Sequence, residues 1–263
     1  MVDTSILDRF RLDDKVVLIT GGAQGIGKSF AFTLGAVGAK IIIADLQVEK
    51  GEATIAELSA KGIEAVFIPV DVSSRSSIKE MVNKAISKWG NLTIAINNAG
   101  LGGWADAEEM DESHWDQIMT VNLRGVMFCS QSEAKAMIPQ GYGKIINMGS
   151  VSAHVVLRPQ NQSAYNASKA GVFHLTRTLA GEWAKYGIRV NSLSPGYTRT
   201  EMLEDLLQTE DGQALVSFWT EQIPLGELAV LEDLQGAILF LASEASDYMT
   251  GADIVVDGGY SVW

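Results

Sequence analysis

Along the whole chain, short runs rich in Val and Ile alternate with longer segments of helical period, and this alternation restricts the fold more than any other feature. The strand candidates lie at 16–20, 40–44, 65–70, 92–96, 144–148, 189–193 and 253–256. Between them, apolar residues recur every three to four positions at 25–37, 48–60, 74–89, 111–137, 164–186 and 231–242. Helices falling between successive strands build a parallel sheet through right-handed crossovers. The expectation is therefore an α/β fold with seven parallel strands and helices on both faces. At 263 residues the chain exceeds the common domain size, yet a sheet covered on both faces uses that length as one unit. No repeat, low-complexity tract or Pro/Gly/Ser-rich linker divides it, so one domain over 1–263 is expected. The stretch 197–224 is too long for a plain connection between the sixth strand and the next strong helix, and a substrate lid is expected there.

Composition narrows the class of partner. A hydrophobic fraction of 47% with 20% charged residues supplies a large core. The net charge of -12 makes the average surface repel phosphate backbones and anionic lipid headgroups, which argues against nucleic acid and membrane partners. No segment reaches the roughly 18–20 uninterrupted apolar residues of a bilayer span, and the amino terminus lacks a signal-peptide pattern. The single cysteine, Cys129, sits in an apolar stretch and reads as a small buried thiol in a reducing compartment, with the cytoplasm as the expected location.

Thr20-Gly21-Gly22-Ala23-Gln24-Gly25-Ile26-Gly27 follows the first strand at once and opens the first helix, which is the setting of a dinucleotide-binding turn. Gly21 permits the tight turn. Gly25 and Gly27 let the backbone approach a pyrophosphate and the helix pack on the strand, while the free N–H groups of Gly25 and Ile26 attract the anion. Asp45 ends the second strand about 20 residues later, followed by Leu46, where a carboxylate accepts hydrogen bonds from adenosine ribose hydroxyls and repels a ribose phosphate. No Arg or Lys occurs at 21–27 or 45–47, so NAD(H) is favoured over NADP(H). Asp71-Val72 closes the third strand and Asn97-Asn98-Ala99-Gly100 the fourth, at the carboxyl ends where open sheets bind ligands. Asn97 and Asn98 serve equally well as structural ties between strand ends.

Tyr165-Asn166-Ala167-Ser168-Lys169 places Tyr165 and Lys169 at i and i+4, on one helix face. A phenol with its ordinary pKa near 10 is a poor base at neutral pH, but a neighbouring ammonium and an oxidised nicotinamide both favour phenolate. A lowering of about three units requires roughly 4 kcal/mol.

In this order, the glycine turn, Asp45, Asn97-Asn98-Ala99-Gly100, a downstream serine and Tyr165/Lys169 resemble the short-chain dehydrogenase/reductase family. The resemblance runs from about Leu12 to Trp263 and includes Pro195-Gly196 and Asp257-Gly258-Gly259. It implies a Rossmann fold, hydride transfer between NAD(H) and an alcohol/carbonyl pair, and a catalytic set of Asn122, Ser152, Tyr165 and Lys169. Ser152 lies 13 residues before Tyr165, the family spacing, and is taken as the residue that hydrogen-bonds the reacting oxygen, ahead of the nearby Ser150. Asn122 interrupts a long helix and positions a water beside Lys169. Lys169 holds the nicotinamide ribose, and Pro195, Gly196, Tyr197, Thr198 and Thr200 hold the carboxamide.

The resemblance also implies a homotetramer, with helices 111–137 and 164–186 pairing across one interface and the carboxyl terminus at another. The stretches Gly181-Glu182-Trp183-Ala184 and Ser194-Pro195-Gly196-Tyr197 resemble the mannitol, sorbitol and sorbose members, so a polyol or sugar is the expected substrate. Ser152, His154, Gln160, Asn161, Gln162, Tyr165, Tyr197, Met202 and Trp219 are its candidate contacts. No metal is expected, since His114, His154 and His174 lack ligand spacing. A 3-oxoacyl-thioester reductase and a non-catalytic NAD(H)-binding regulator stand as alternatives.

Overall fold

A computed structural model describes residues 5–263, the side chains of Met202 and Asp205 excepted. Seven strands, β1 (Val16–Thr20), β2 (Lys40–Asp45), β3 (Ala65–Pro69), β4 (Ile94–Asn97), β5 (Gly143–Met148), β6 (Ile188–Pro195) and β7 (Asp253–Val256), form one parallel sheet ordered β3-β2-β1-β4-β5-β6-β7. The expected sheet is thus observed, with strand ends shifted by one or two residues.

Successive side chains on a strand point to opposite faces, and the burial follows that period. Val17 and Ile19, Ile41 and Ile43, Ile94 and Ile96 join one apolar layer with Phe30, Leu34, Leu58 and Ile238. Those partners come from α1 (Gly25–Ala36), α2 (Val48–Ala60) and α9 (Gln235–Ala242). Val16 and Leu18, Ile42 and Ala44, Ala95 and Ile145 join the other layer with Ile78, Met81, Cys129, Met137 and Leu179. Those come from α3 (Arg75–Trp89), α5 (Val126–Met137) and α6 (Ser163–Trp183). Both faces are apolar because both are covered, which is why these strands read as continuous hydrophobic runs.

The chain lays down β1, β2 and β3 outward in one direction and then returns to place β4 beside β1. At that reversal the connections leave on opposite faces, and a crevice opens beyond the carboxyl ends of β1 and β4.

Three helical expectations change in detail, one being 164–186, which is α-helical over Ser163–Trp183 and ends in a 3-10 turn over Ala184–Tyr186. The stretch 111–137 is α4 (Glu112–Met119), a wider π-type turn over Thr120–Gly125, and then α5. In 231–242 only Gln235–Ala242 is α-helical, because Leu231–Leu234 winds as a tighter 3-10 turn. The segment 197–224, where a lid is expected, contains two helices of its own, α7 (Glu201–Leu206) and α8 (Glu210–Gln222). The α8 start is fixed by Thr209, whose Oγ1 accepts from the Gly212 N–H at 3.1 Å. No helix among the described residues is long and apolar enough to cross a membrane.

Beneath the crevice lies a buried polar cluster. Asn97 Nδ2 shares its two N–H groups among Ser130 Oγ, Glu133 Oε2 and Asn147 Oδ1 at 3.1, 3.1 and 3.0 Å, and Asn147 Nδ2 donates to Thr176 Oγ1 at 3.0 Å. Asn97 is therefore a structural tie linking β4 and β5 to α5 and α6. Burial pushes the Glu133 carboxyl up to about 8, against the opposing hydrogen bond from Asn97. Below the unfolded value of 4.5 both states hold this proton. Between 4.5 and about 8 the unfolded chain releases it while the folded chain keeps it, so stability falls as pH rises through that window. Glu133→Gln removes this dependence. Denaturant melts should find the variant more stable than wild type by on the order of 1–3 kcal/mol at pH 8 and equal to it near pH 4.5; a variant weaker at both pH values would contradict a neutral Glu133.

Candidate active site

The crevice is a cavity of about 1160 Å³ that runs from the glycine turn to the segment 197–224. It exceeds the ordinary single-ligand pocket and has room for a dinucleotide together with a small substrate.

At one end, Gly21 and Gly25 adopt φ of +64° and +55°, the left-handed region that suits glycine. A Cβ on Gly27 would stand 2.3 Å from the Gly21 carbonyl oxygen, so Gly27 allows helix to meet strand and does not itself line the cavity. Gln24 precedes α1 without making a side-chain cap, and the first helical bond runs from Lys28 N–H to Gln24 C=O. The amides of Gly25, Ile26 and Gly27 are thereby left without helical partners, and Gly25 and Ile26 face the cavity. That is an anion seat.

Asp45 is 8% exposed. Its Oδ2 accepts from Ala23 N–H and its Oδ1 from Gln47 N–H, both at 3.0 Å, so it braces the glycine turn while lining the cavity beside the exposed Leu46. Each oxygen retains a lone pair for another donor. The sequence spans without Lys or Arg do not give the whole environment, because the first turn of α2 brings the Lys50 ammonium onto Gln24 Oε1 at the same rim.

Asp71, Val72, Asn98, Ala99 and Gly100 also line the cavity. Asn98 Nδ2 donates to the carbonyls of Thr20 and Gly21, at 3.1 and 2.8 Å, and so holds the turn.

At the other end the face of α6 delivers Tyr165 and Lys169 together, with the Lys169 ammonium 5.7 Å from the Tyr165 ring centre. Lys169 donates to the Met148 carbonyl at 2.8 Å, and burial pushes its pKa down to about 8. An ammonium has three N–H groups, and this bond occupies one. Burial raises the Tyr165 phenol above its usual value, and a hydrogen bond with Ser150 opposes the rise. The expected lowering of Tyr165 is therefore not a property of the chain alone. The unpartnered Lys169 donors and the open α1 amides fit the ribose and pyrophosphate of a nicotinamide dinucleotide.

The structure places the two candidate serines differently. Ser150 is the last extended residue after β5, lines the cavity and reaches the Tyr165 phenol. Its Oγ also accepts from Ser152 N–H at 3.1 Å. Ser152 lies inside the 3-10 turn Val151–Ala153, which rotates its hydroxyl away from the cavity into a buried position without a partner. Thirteen residues along a loop do not fix a direction, whereas the end of a strand does.

His154 also stands apart from the cavity. Its Nε2 pairs with Asp253 Oδ2 at 2.6 Å and its ring packs edge-on against Phe173, so it does not line the cavity. Asn122 is fully buried, with its amide exchanging two bonds with the backbone of Leu101, at 2.7 and 2.8 Å, and a third with Ser168 Oγ. Its side chain positions the 98–101 loop and touches no cavity space.

Pro195, Gly196, Tyr197, Thr198, Thr200, Gln162 and Trp219 line the cavity. Met202 lies outside the described side chains. Trp104, Leu157, Leu203 and Leu206 were not anticipated. They carry no motif and reach the cavity only because the 100–105 loop, the 154–162 loop and α7 fold over it.

The chain from residue 21 to 261 matches the family model described as Enoyl-(Acyl carrier protein) reductase. It is 39% identical over 254 residues, covering 97% of this chain and 98% of the relative, to galactitol 2-dehydrogenase (L-tagatose-forming) of Cereibacter sphaeroides. It is 38% identical over 257 residues, with 97% and 98% coverage, to 2-dehydro-3-deoxy-D-gluconate 5-dehydrogenase of Dickeya dadantii (strain 3937). The crystal structure of a gluconate 5-dehydrogenase from Burkholderia cenocepacia J2315 in complex with NADP and tartrate superposes with a TM-score of 0.91 at 35% identity, covering 98% of this chain and 100% of that one. With the sheet order, the glycine turn and the Tyr165/Lys169 pair all in place, the chain belongs to the short-chain dehydrogenase/reductase family.

Proposed function

We propose that this protein is an NAD(H)-preferring dehydrogenase/reductase that interconverts a polyol or sugar-type secondary alcohol with its ketone. The observation that carries this reading is the convergence of Ser150, Tyr165 and Lys169 in one cavity with the anion seat at the glycine turn. A bound nicotinamide dinucleotide supplies the hydride acceptor for oxidation and the donor for reduction.

Everything else falls to the chain. The Gly25 and Ile26 amides would hold pyrophosphate, Asp45 would accept from ribose hydroxyls, and the two unpartnered Lys169 N–H groups would hold the second ribose. Ser150 donates to the substrate oxygen and orients it toward Tyr165. Tyr165 takes the hydroxyl proton during oxidation and returns it to the carbonyl oxygen during reduction. A cation near the phenol offsets the burial that raises its pKa, so a ribose-bound Lys169 and an oxidised nicotinamide favour proton loss by Tyr165. Asn122 keeps the 98–101 loop in register with α6. The similarity to galactitol 2-dehydrogenase supports a polyol substrate. A homotetramer agrees with the exposed apolar Trp115 on α4 and Trp263 at the carboxyl terminus.

The test is turnover of hexitols, pentitols and apolar secondary alcohols with NAD⁺ and with NADP⁺, read by nicotinamide absorbance. The expected outcome is a preference for the polyols and for NAD⁺, and Asp45→Ala narrows the cofactor preference by about tenfold as the repulsion of a ribose phosphate disappears. Equal or better kcat/KM with NADP⁺ in the wild type would assign the rim to Lys50 in place of Asp45.

A further inference from the structure

Gln160 stands where three segments of the cavity wall meet. Its Nε2 donates to Tyr197 Oη at 2.8 Å, and its Oε1 accepts from Trp219 Nε1 at 3.1 Å. The loop that follows Ser150 is thereby joined to the loop after β6 and to the lid helix α8. The Tyr197 and Trp219 rings stack 4.4 Å apart at 15°, so the two groups that grip the amide are themselves held. A carboxamide offers two N–H groups and two oxygen lone pairs. After these bonds, one N–H and one lone pair of Gln160 remain, on a half-buried side chain that lines the cavity. Clamped in this way, the amide has a fixed plane and presents a donor and an acceptor without further ordering. A hydroxyl group, which also donates and accepts, is their natural complement.

The charges around the cavity say which hydroxylated molecules can enter. Lys169 is the sole cation among the described lining residues, against the carboxylates of Asp45, Asp71, Asp116 and Glu201. The two nearby arginines are not among those lining residues. Arg158 is exposed and offers Tyr197 only its backbone carbonyl, and Arg199 is paired with Glu204 at 3.1 Å. A substrate carboxylate would enter a field of its own sign, in which the one lining ammonium is already bonded to the Met148 carbonyl.

Resting on the dehydrogenase reading above, we propose that Gln160 is a specificity-determining residue that binds a hydroxyl beyond the reacting carbon of a neutral polyol, in a cavity that disfavours sugar acids. Gln160→Met removes both the latch and the hydroxyl contact at similar volume, whereas Trp219→Phe removes one latch bond and leaves the free amide positions. Each protein is assayed on a hexitol, on 2-hexanol and on gluconate, with dinucleotide binding followed separately by fluorescence.

In the wild type, gluconate should fall at least about tenfold below the hexitol in kcat/KM. In Gln160→Met the ratio of hexitol to 2-hexanol should drop roughly tenfold, carried by KM, with dinucleotide affinity unchanged. Trp219→Phe should weaken both alcohols alike and keep the ratio within about twofold. Equal losses on both alcohols in Gln160→Met would reduce Gln160 to a structural latch and overturn the proposal, as would gluconate matching the hexitol in the wild type. A wild type that oxidises no secondary alcohol would instead overturn the dehydrogenase reading itself.

Discussion

Tyr165→Phe should bind dinucleotide nearly as tightly as wild type and lose at least about 10³-fold in kcat. The substitution removes one oxygen from α6 and leaves the ring, the Lys169 ammonium and the Met148 carbonyl bond where they are. What disappears is the proton that must leave or reach the substrate oxygen, and general acid–base groups contribute roughly 10²–10⁴-fold. Because the group acts in the transition state, the loss should appear in kcat and kcat/KM together, with little change in KM. Fluorescence titration of the dinucleotide separates this outcome from a collapsed site. Near-wild-type kcat would sink Tyr165 as the proton carrier.

The second large effect separates two serines two residues apart. Ser150→Ala should lower kcat by at least about 10²-fold, the usual consequence of deleting one positioned donor to a developing oxyanion. Ser152→Ala should stay within about twofold of wild type, since its hydroxyl is buried, unpartnered and outside the cavity. It should also fold at least as stably, because it removes an unsatisfied polar atom. Steady-state kinetics on both variants decides the matter. A Ser152→Ala enzyme as crippled as Ser150→Ala would mean that the 3-10 turn Val151–Ala153 rearranges when ligands bind.

The difference between these serines shows where sequence stopped being informative. The strand β5 was legible from Lys144 to Met148 because an apolar run covered on both faces leaves a continuous hydrophobic signature. The Tyr165/Lys169 pair was legible because helix geometry places i and i+4 on one face without reference to the rest of the chain. The serine depended on how the loop leaves β5, and a spacing count carries no direction. Asp45 illustrates the intermediate case. Its place at the end of β2 was readable, but its bonds to Ala23 and Gln47, and the arrival of Lys50 at Gln24, required β1, β2 and α2 to be set side by side.

By itself the sequence determined what local rules can determine: seven strands and their covering helices, the glycine turn that frees the α1 amides, and the shared helix face of Tyr165 and Lys169. Each follows from a period or a backbone conformation imposed within a few residues. Only the tertiary structure decided that Ser150 faces Tyr165 while His154 turns to Asp253, and that Gln160 ties Tyr197 to Trp219. Burial, likewise, holds Glu133 and Lys169 near a pKa of 8 from opposite sides. These outcomes depend on contacts between segments far apart in the chain, and on desolvation, which is a property of the packed cavity and not of any one residue.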